Sequence, residues 1–238
     1  MRPLQTRSTA PEKMDAPGIP EGDLRRALRD IDRINRWLGG YKLVFGALKN
    51  LPAFQRKEPM TLMDLGCGSG DIIRAVSKWA KRSGHPLRFI GVDMNPTMTR
   101  LAGNCCVLHE NVSFRTADVF DDILLKDQPD IVMSTLFVHH FDREALIRLL
   151  KRMLELARQT VIINDPDRHP LAYYGIKYLT RMFSASYLVH YDAPLSVARS
   201  LTRSEWIDVL QAAGITNYTM RWRWAWRWEI VIPKPQQS

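Results

Sequence analysis

Two stretches of this chain bring together residue types able to do chemistry. In Asp64-Leu65-Gly66-Cys67-Gly68-Ser69-Gly70-Asp71, glycine stands at every second position behind a carboxylate. Glycine has no Cβ, so three in alternation let the backbone turn sharply and let a ligand approach main-chain N–H groups. The spacing is G-x-G-x-G rather than the G-x-G-x-x-G of dinucleotide sites. Asp64 would repel a pyrophosphate and suits a ligand with a cationic end, which points to S-adenosylmethionine. The second stretch holds the adjacent pair His139-His140, with Asp165 and His169 further on. Histidine is the fitting base for a hydroxyl whose pKa lies near that of a phenol, about 10. We read His140 as that base with His139 as the alternate, and Asp165 or His169 as orienting a substrate. The competing account of any one histidine is a structural hydrogen bond at a strand end.

These residues need elements to hold them. Met60 to Leu65 reads as a buried strand, and a helical pattern follows from Ile72, giving strand, glycine turn, helix. Leu87 to Asp93 reads as a second strand ending in an acid, and Pro96 opens another helix. Val112 to Thr116 is a third strand running into Ala117-Asp118, and Asp130 to Ser134 is a fourth. Asp142 caps a helix whose Leu146, Leu149, Leu150, Met153 and Leu156 share one face, and Thr160 to Ile163 is a fifth strand. Such alternation predicts a parallel sheet with helices on both faces, and ligands beyond the carboxyl ends of its strands.

The flanks are less regular. Residues 1–20, rich in proline, read as a mobile tail. Residues 21–56 read as a helical cap, with Leu24, Leu28, Ile31, Ile34 and Leu38 at helical steps and a short helix from Tyr41 to Leu51. Arg33, Asn35 and Arg36, at the end of the first of these helices, are within reach of a carboxylate on a cofactor or an acidic substrate, although surface solvation is the better account of most of them. Between 165 and 200 the strand pattern lapses for longer than a structureless loop allows. Pro170 and the aromatics Tyr173, Tyr174, Tyr178, Phe183, Tyr187 and Tyr191 suggest a helical lid or wall there. Thr202 and Glu205 form a capping box. Thr216 to Ile232 alternates tryptophan at 222, 224, 226 and 228 with arginine at 221, 223 and 227. That pattern predicts an antiparallel pair turning near Arg223 to Ala225, its tryptophans buried beneath a helix.

Composition bounds the function. The net charge is +9 and the pI about 9.7, but the basic residues are spread and interleaved with acids, as on a solvated surface. Three cysteines, two of them adjacent, supply neither a disulfide framework nor zinc spacing. Nothing suggests a metal. No apolar run approaches the roughly 20 residues of a membrane helix, and no signal peptide is visible, so a cytoplasmic location is expected.

From about Tyr41 to the C-terminus the chain resembles class I S-adenosylmethionine-dependent methyltransferases. Asp64, Gly66, Gly68 and Gly70 match the family's glycine turn, which implies contact with the cofactor's methionine and ribose. Asp93 matches the acid that bridges the ribose hydroxyls. Asp118 and Val119 match the adenine-binding acid and its neighbouring backbone donor. Met94 would pack on the adenine face, and Ser134 would lie beside the cofactor's amino-acid end. The segment Leu136-Phe137-Val138-His139-His140-Phe141 is similar to small-molecule methyltransferases of the quinone and polyketide type, as are Asp165 and the run His169 to Tyr174.

The resemblance implies an α/β fold: a Rossmann-like, seven-stranded, mostly parallel sheet with an antiparallel last strand, spanning residues 57–238. It also implies O-methylation of an apolar aromatic or polyketide-like molecule in secondary metabolism, with Asp165, His169, Tyr173 and Tyr174 meeting substrate. Two alternatives stand beside it. One is an RNA or other nucleic-acid methyltransferase, although Ser134-Thr135-Leu136-Phe137 occupies the place of the Asn/Asp-Pro-Pro-Tyr segment of adenine enzymes and no Pro-Cys occurs. The other is a non-catalytic cofactor-binding protein.

Overall fold

The computed structural model describes residues 4–16 and 18–234. At its centre is a seven-stranded sheet in the order β3-β2-β1-β4-β5-β7-β6. The strands are β1 (Met60–Leu65), β2 (Leu87–Asp93), β3 (Val112–Thr116), β4 (Ile131–Thr135), β5 (Thr160–Pro166), β6 (Thr219–Arg223) and β7 (Arg227–Pro233). Only β7 runs against its neighbours, so the Rossmann-like expectation holds in both topology and direction. Around it lie α1 (Glu21–Trp37), α2 (Gly40–Lys49), α3 (Pro52–Gln55), α4 (Asp71–Arg82), α5 (Pro96–Cys105), α6 (Arg143–Leu156), α7 (Pro170–Phe183), α8 (Tyr187–Arg199) and α9 (Arg203–Ala212).

Strand side chains alternate between two apolar layers. Leu62, Phe89, Ile131 and Met133 pack with Ile73 and Val76 of α4 and with Val44 and Leu48 of α2. Met63, Leu65, Ile90 and Val132 pack with Leu146, Leu149 and Leu150 of α6 and with Trp206 of α9. Truncating one such leucine to alanine would cost about 2–5 kcal/mol, so both layers hold the sheet firmly. Register then levels its working edge: Asp64 stands opposite Gly91 and Met133, Asp93 opposite Thr116 and Thr135 opposite Asn164. The residues just past these pairs emerge together at one edge.

Two expectations need correction. The segment expected to be a mobile tail is anchored at several of its described residues. Ser8 N–H donates to Ala198 at 3.0 Å, and the N–H groups of Lys13 and Met14 donate to the Asp192 carboxylate at 2.7 and 2.9 Å. Apart from a single 3-10 turn at Lys13–Asp15, this proline-containing strap is held by another element, so it carries little periodicity to read. Its residues 1–3 and 17 lie outside the described ones. The tryptophan ladder, for its part, is not uniformly buried. Trp228 is 6% exposed, whereas Trp222 is 47% and Trp224 64% exposed, because the edge strand β6 and the turn have no covering helix.

The insertion after β5 folds as the helix pair α7 and α8. Leu188 and Val189 of α8 join Ala27 and Ile34 of α1 in a small separate core. This pair and α1 lie over the carboxyl edge of β4 and β5 and enclose the space described next.

Candidate active site

The glycine turn has the conformation its spacing demands. Gly66, Gly68 and Gly70 have φ of 72°, 52° and 69°, a region that side-chain-bearing residues rarely enter. Gly68 N–H donates to Asp93 Oδ2 and Asn95 N–H to Asp93 Oδ1, each at 2.9 Å. The Phe137 ring lies against Gly66 so closely that a Cβ there would fall 2.1 Å from a ring carbon. Asp64 is 2% exposed, and its Oδ1 has no hydrogen-bond partner. Burial, and then the charges of Asp71 and Asp93, push its pKa well above the usual carboxylate range. Three carboxylates crowded behind a glycine turn are relieved by a cationic ligand, so the residues present fit S-adenosylmethionine.

The remaining cofactor candidates lie along the same edge. Asp118 is exposed and accepts from Phe120 N–H at 2.9 Å, with Val119 buried beside it. Met94 is 72% exposed next to Asp93. Ser134 Oγ donates to the Leu65 carbonyl at 3.1 Å, tying β4 to β1. Tyr41 of α2 bridges Asp32 and Asp71, lying 2.9 Å from the latter.

The two histidines diverge in environment. Leu136, just past β4, has φ of 54°, and the chain then folds back through a single 3-10 turn, Val138–His140. His139 points inward, 2% exposed, with Nδ1 2.9 Å from Asp165 Oδ1 and Nε2 3.5 Å from Glu12 Oε1. Burial alone would lower its pKa, but Asp165 and then Glu12 outweigh that and raise it to about 9. For Glu12, burial raises the pKa, and hydrogen bonding to His139 together with both histidine charges brings it down to about 2. Ser196 also donates to Glu12 at 2.7 Å. His140 stands further out, with Nδ1 3.3 Å from Asp15 and Nε2 3.8 Å from Glu12.

Beside His139 is a cavity of about 350 Å³. Glu12 and Met14 of the strap, Ile31, Ile34, Asn35 and Leu38 of α1, and Trp224, Trp226 and Arg227 of the hairpin form much of its wall. From α7 it receives Ala172, Gly175, Ile176 and Leu179, one face at helical spacing. Tyr173 and Tyr174 therefore point elsewhere and do not line it. His169 caps α7 by accepting from Leu171 N–H at 3.2 Å, and it is not part of the wall either. Asp165 is not part of the wall and acts on it through its contact with His139 and its charge near Arg227.

Sequence reasoning missed Glu12, Arg7 and Arg227. Arg7 donates to the carbonyls of Arg199, His139 and Phe141 at 2.7, 3.1 and 2.9 Å, fixing the strap against the histidine turn. Arg227, assigned by alternation to an outward face with Arg221, is 5% exposed. It donates to Asn35 at 2.9 Å. Of the three α1 residues singled out, only Asn35 reaches the cavity. Arg36 pairs with Asp32 at 3.0 Å and Arg33 with Asp30 at 3.8 Å.

Residues 62–160 match the family profile described as a methyltransferase domain. No curated protein sequence matches the chain. Solved structures share the fold. The human N-acetylserotonin methyltransferase in complex with SAM superposes with a TM-score of 0.62 at 17% identity, covering 89% of this chain and 56% of that one. The plantazolicin methyltransferase BpumL in complex with SAH gives 0.64 at 17% identity, covering 89% and 90%. An O-methyltransferase family protein from Burkholderia thailandensis gives 0.61 at 18% identity, covering 90% and 60%. The chain thus spans little more than half of the human enzyme but most of the plantazolicin one. Among the described residues no helix is long and apolar enough to cross a membrane.

Proposed function

We propose that this chain, which has the class I methyltransferase fold and a methyltransferase domain over residues 62–160, methylates a hydroxyl of an apolar small molecule held in the cavity beside His139. S-adenosylmethionine, when bound, supplies the methyl group on a sulfonium. The residues that would hold it are Asp64, Gly66, Gly68, Gly70, Asp93, Met94, Asp118, Val119 and Ser134. In this reading residues 57–238 carry the transfer, and residues 21–56, the strap and the helices α7 and α8 close over the acceptor.

The observation that carries the reading is the His139–Asp165 contact at the cavity wall. Asp165 on Nδ1 leaves Nε2 as the atom that takes the acceptor's proton. While Glu12 also faces Nε2, the imidazole is held in its charged form, so the incoming hydroxyl has to displace that carboxylate. His140, the residue favoured from sequence, lies outside the cavity wall, which supports His139 as the base. The enclosing apolar wall excludes water and holds the acceptor toward the glycine turn, which is the larger part of what an in-line transfer asks of a protein.

The test is transfer of radiolabelled methyl from S-adenosylmethionine into fractions of a cell extract. Label in the organic-soluble fraction, lost in His139→Ala and largely kept in His140→Ala, supports the assignment. Retention of label in His139→Ala removes the base, and label in RNA or protein overturns the acceptor class.

A further inference from the structure

Four charged or titratable side chains stand in the cavity wall: Glu12, His139, Asp192 and Arg227. Three of them are answered. Glu12 meets His139 and Ser196, His139 meets Asp165, and Asp192 accepts two backbone N–H groups of the strap. Arg227 is not. Its Nη2 donates to Asn35, a neutral amide, while its buried Nη1 has no partner among the described residues. Burial pulls the guanidinium down to about 10, and the nearby charge of Asp165 offsets this only in part.

A guanidinium taken out of water without an ion-paired partner is costly. The same wall includes Ile34, Leu38, Leu179 and Trp226, whose side chains supply no acceptor. Beside Nη1 lies Gly40, where a Cβ would come within 3.2 Å. The first turn of α2 therefore packs its backbone close to this arm, at a position where only glycine leaves room for Asn35 and the guanidinium. An arginine with one arm fixed by an amide and the other unpaired is prepared for a planar anion, because its fork matches a carboxylate in two parallel hydrogen bonds.

We propose that Arg227, oriented by Asn35, receives a carboxylate carried by the methyl acceptor, so that the substrate is an apolar hydroxy acid whose hydroxyl faces His139. This rests on the function proposed above and names the substrate class for it. The same chemistry is present in the methionine carboxylate of the cofactor. Arg227 shares its cavity with His139, however, and none of Gly66, Gly68, Gly70 and Asp93 belongs to that wall.

The experiment measures binding to the SAH-saturated full chain, by calorimetry and by quenching of the cavity tryptophans Trp224 and Trp226. The probes are 3-hydroxy-2-naphthoate and its methyl ester, which differ in charge and little in shape. Wild type should hold the acid about ten-fold or more tighter than the ester. Arg227→Met should erase that margin, with SAH affinity unchanged. Arg227→Lys keeps the charge without the fork; it should retain part of the margin, and it guards against a folding failure of the methionine variant. Equal binding of acid and ester by wild type, including binding of neither, overturns the proposal, as does a margin that survives in Arg227→Met. Loss of SAH affinity in Arg227→Met with the acid margin intact assigns the guanidinium to the cofactor instead. The margin is read by binding rather than turnover, so it stands or falls separately from methyl transfer.

Discussion

Nδ1 of His139 lies 2.9 Å from Oδ1 of Asp165, and the two side chains are 2% and 0% exposed. A buried carboxylate on Nδ1 fixes both the ring orientation and the tautomer. Asp165→Asn keeps the shape and removes the charge. Methyl transfer should fall by about 10²- to 10⁴-fold while SAH affinity stays at the wild-type value, and the midpoint of rate against pH should move down. An unshifted midpoint would mean that Asp165 serves only the fold.

Glu12 and His139 set a pH window for stability. The folded pKa of His139, about 9, lies above its ordinary 6.5; its contribution is complete below pH 6.5 and is lost as pH rises through 9. That of Glu12, about 2, lies below its ordinary 4.5; its contribution is complete above pH 4.5 and is lost as pH falls toward 2. Both are fully expressed between about pH 4.5 and 6.5. Melting temperature should therefore peak in that interval, and Glu12→Gln should flatten both flanks. The same variant should move the rate profile to lower pH, because the imidazole loses one of the two charges that keep it protonated. A melting profile identical to wild type would refute the coupling.

Gly66 tests the glycine turn. Its φ of 72° disfavours a side chain, and a Cβ would collide with the Phe137 ring. Gly66→Ala should cost about 1–3 kcal/mol in denaturant unfolding and weaken SAH binding, since Phe137 must move. Wild-type values for both measurements would show that the turn has more freedom than its geometry implies.

Arg7 holds the strap through three carbonyls. Arg7→Ala should lower stability by about 1–3 kcal/mol, because buried acceptors lose a charged donor. It should also open the segment to limited proteolysis ahead of the sheet. Cleavage at the wild-type rate would mean that Asp192 and Glu12 suffice to hold the strap.

Local signals in the sequence reached the elements that local chemistry decides. Asp142 caps α6 by accepting from Ala145 N–H at 2.8 Å, Thr202 and Glu205 close their capping box, and each acid or glycine at a strand end stands at the edge that alternation assigns to it. What stayed hidden is non-local. Glu12 reads as one acid in a proline-rich stretch, since nothing near it in sequence indicates a buried histidine as its partner. Arg227 fits the outward half of an alternating strand until α1 packs over it. On α7, the conspicuous tyrosines drew attention, whereas Ala172 and Gly175 face the cavity because small side chains leave room for a ligand. The same periodicity, judged by size rather than aromaticity, identifies the inner face.

The hydrogen bond from Arg7 to the carbonyl of Arg199 joins positions 192 apart in sequence. During synthesis the strap therefore has no landing surface until α8 has emerged, after β1 and the glycine turn. Closing so wide a loop is entropically expensive. Connectivity thus sets an order of assembly: the strands around the glycine turn are in place before the cavity beside His139, which closes only when the strap meets α8.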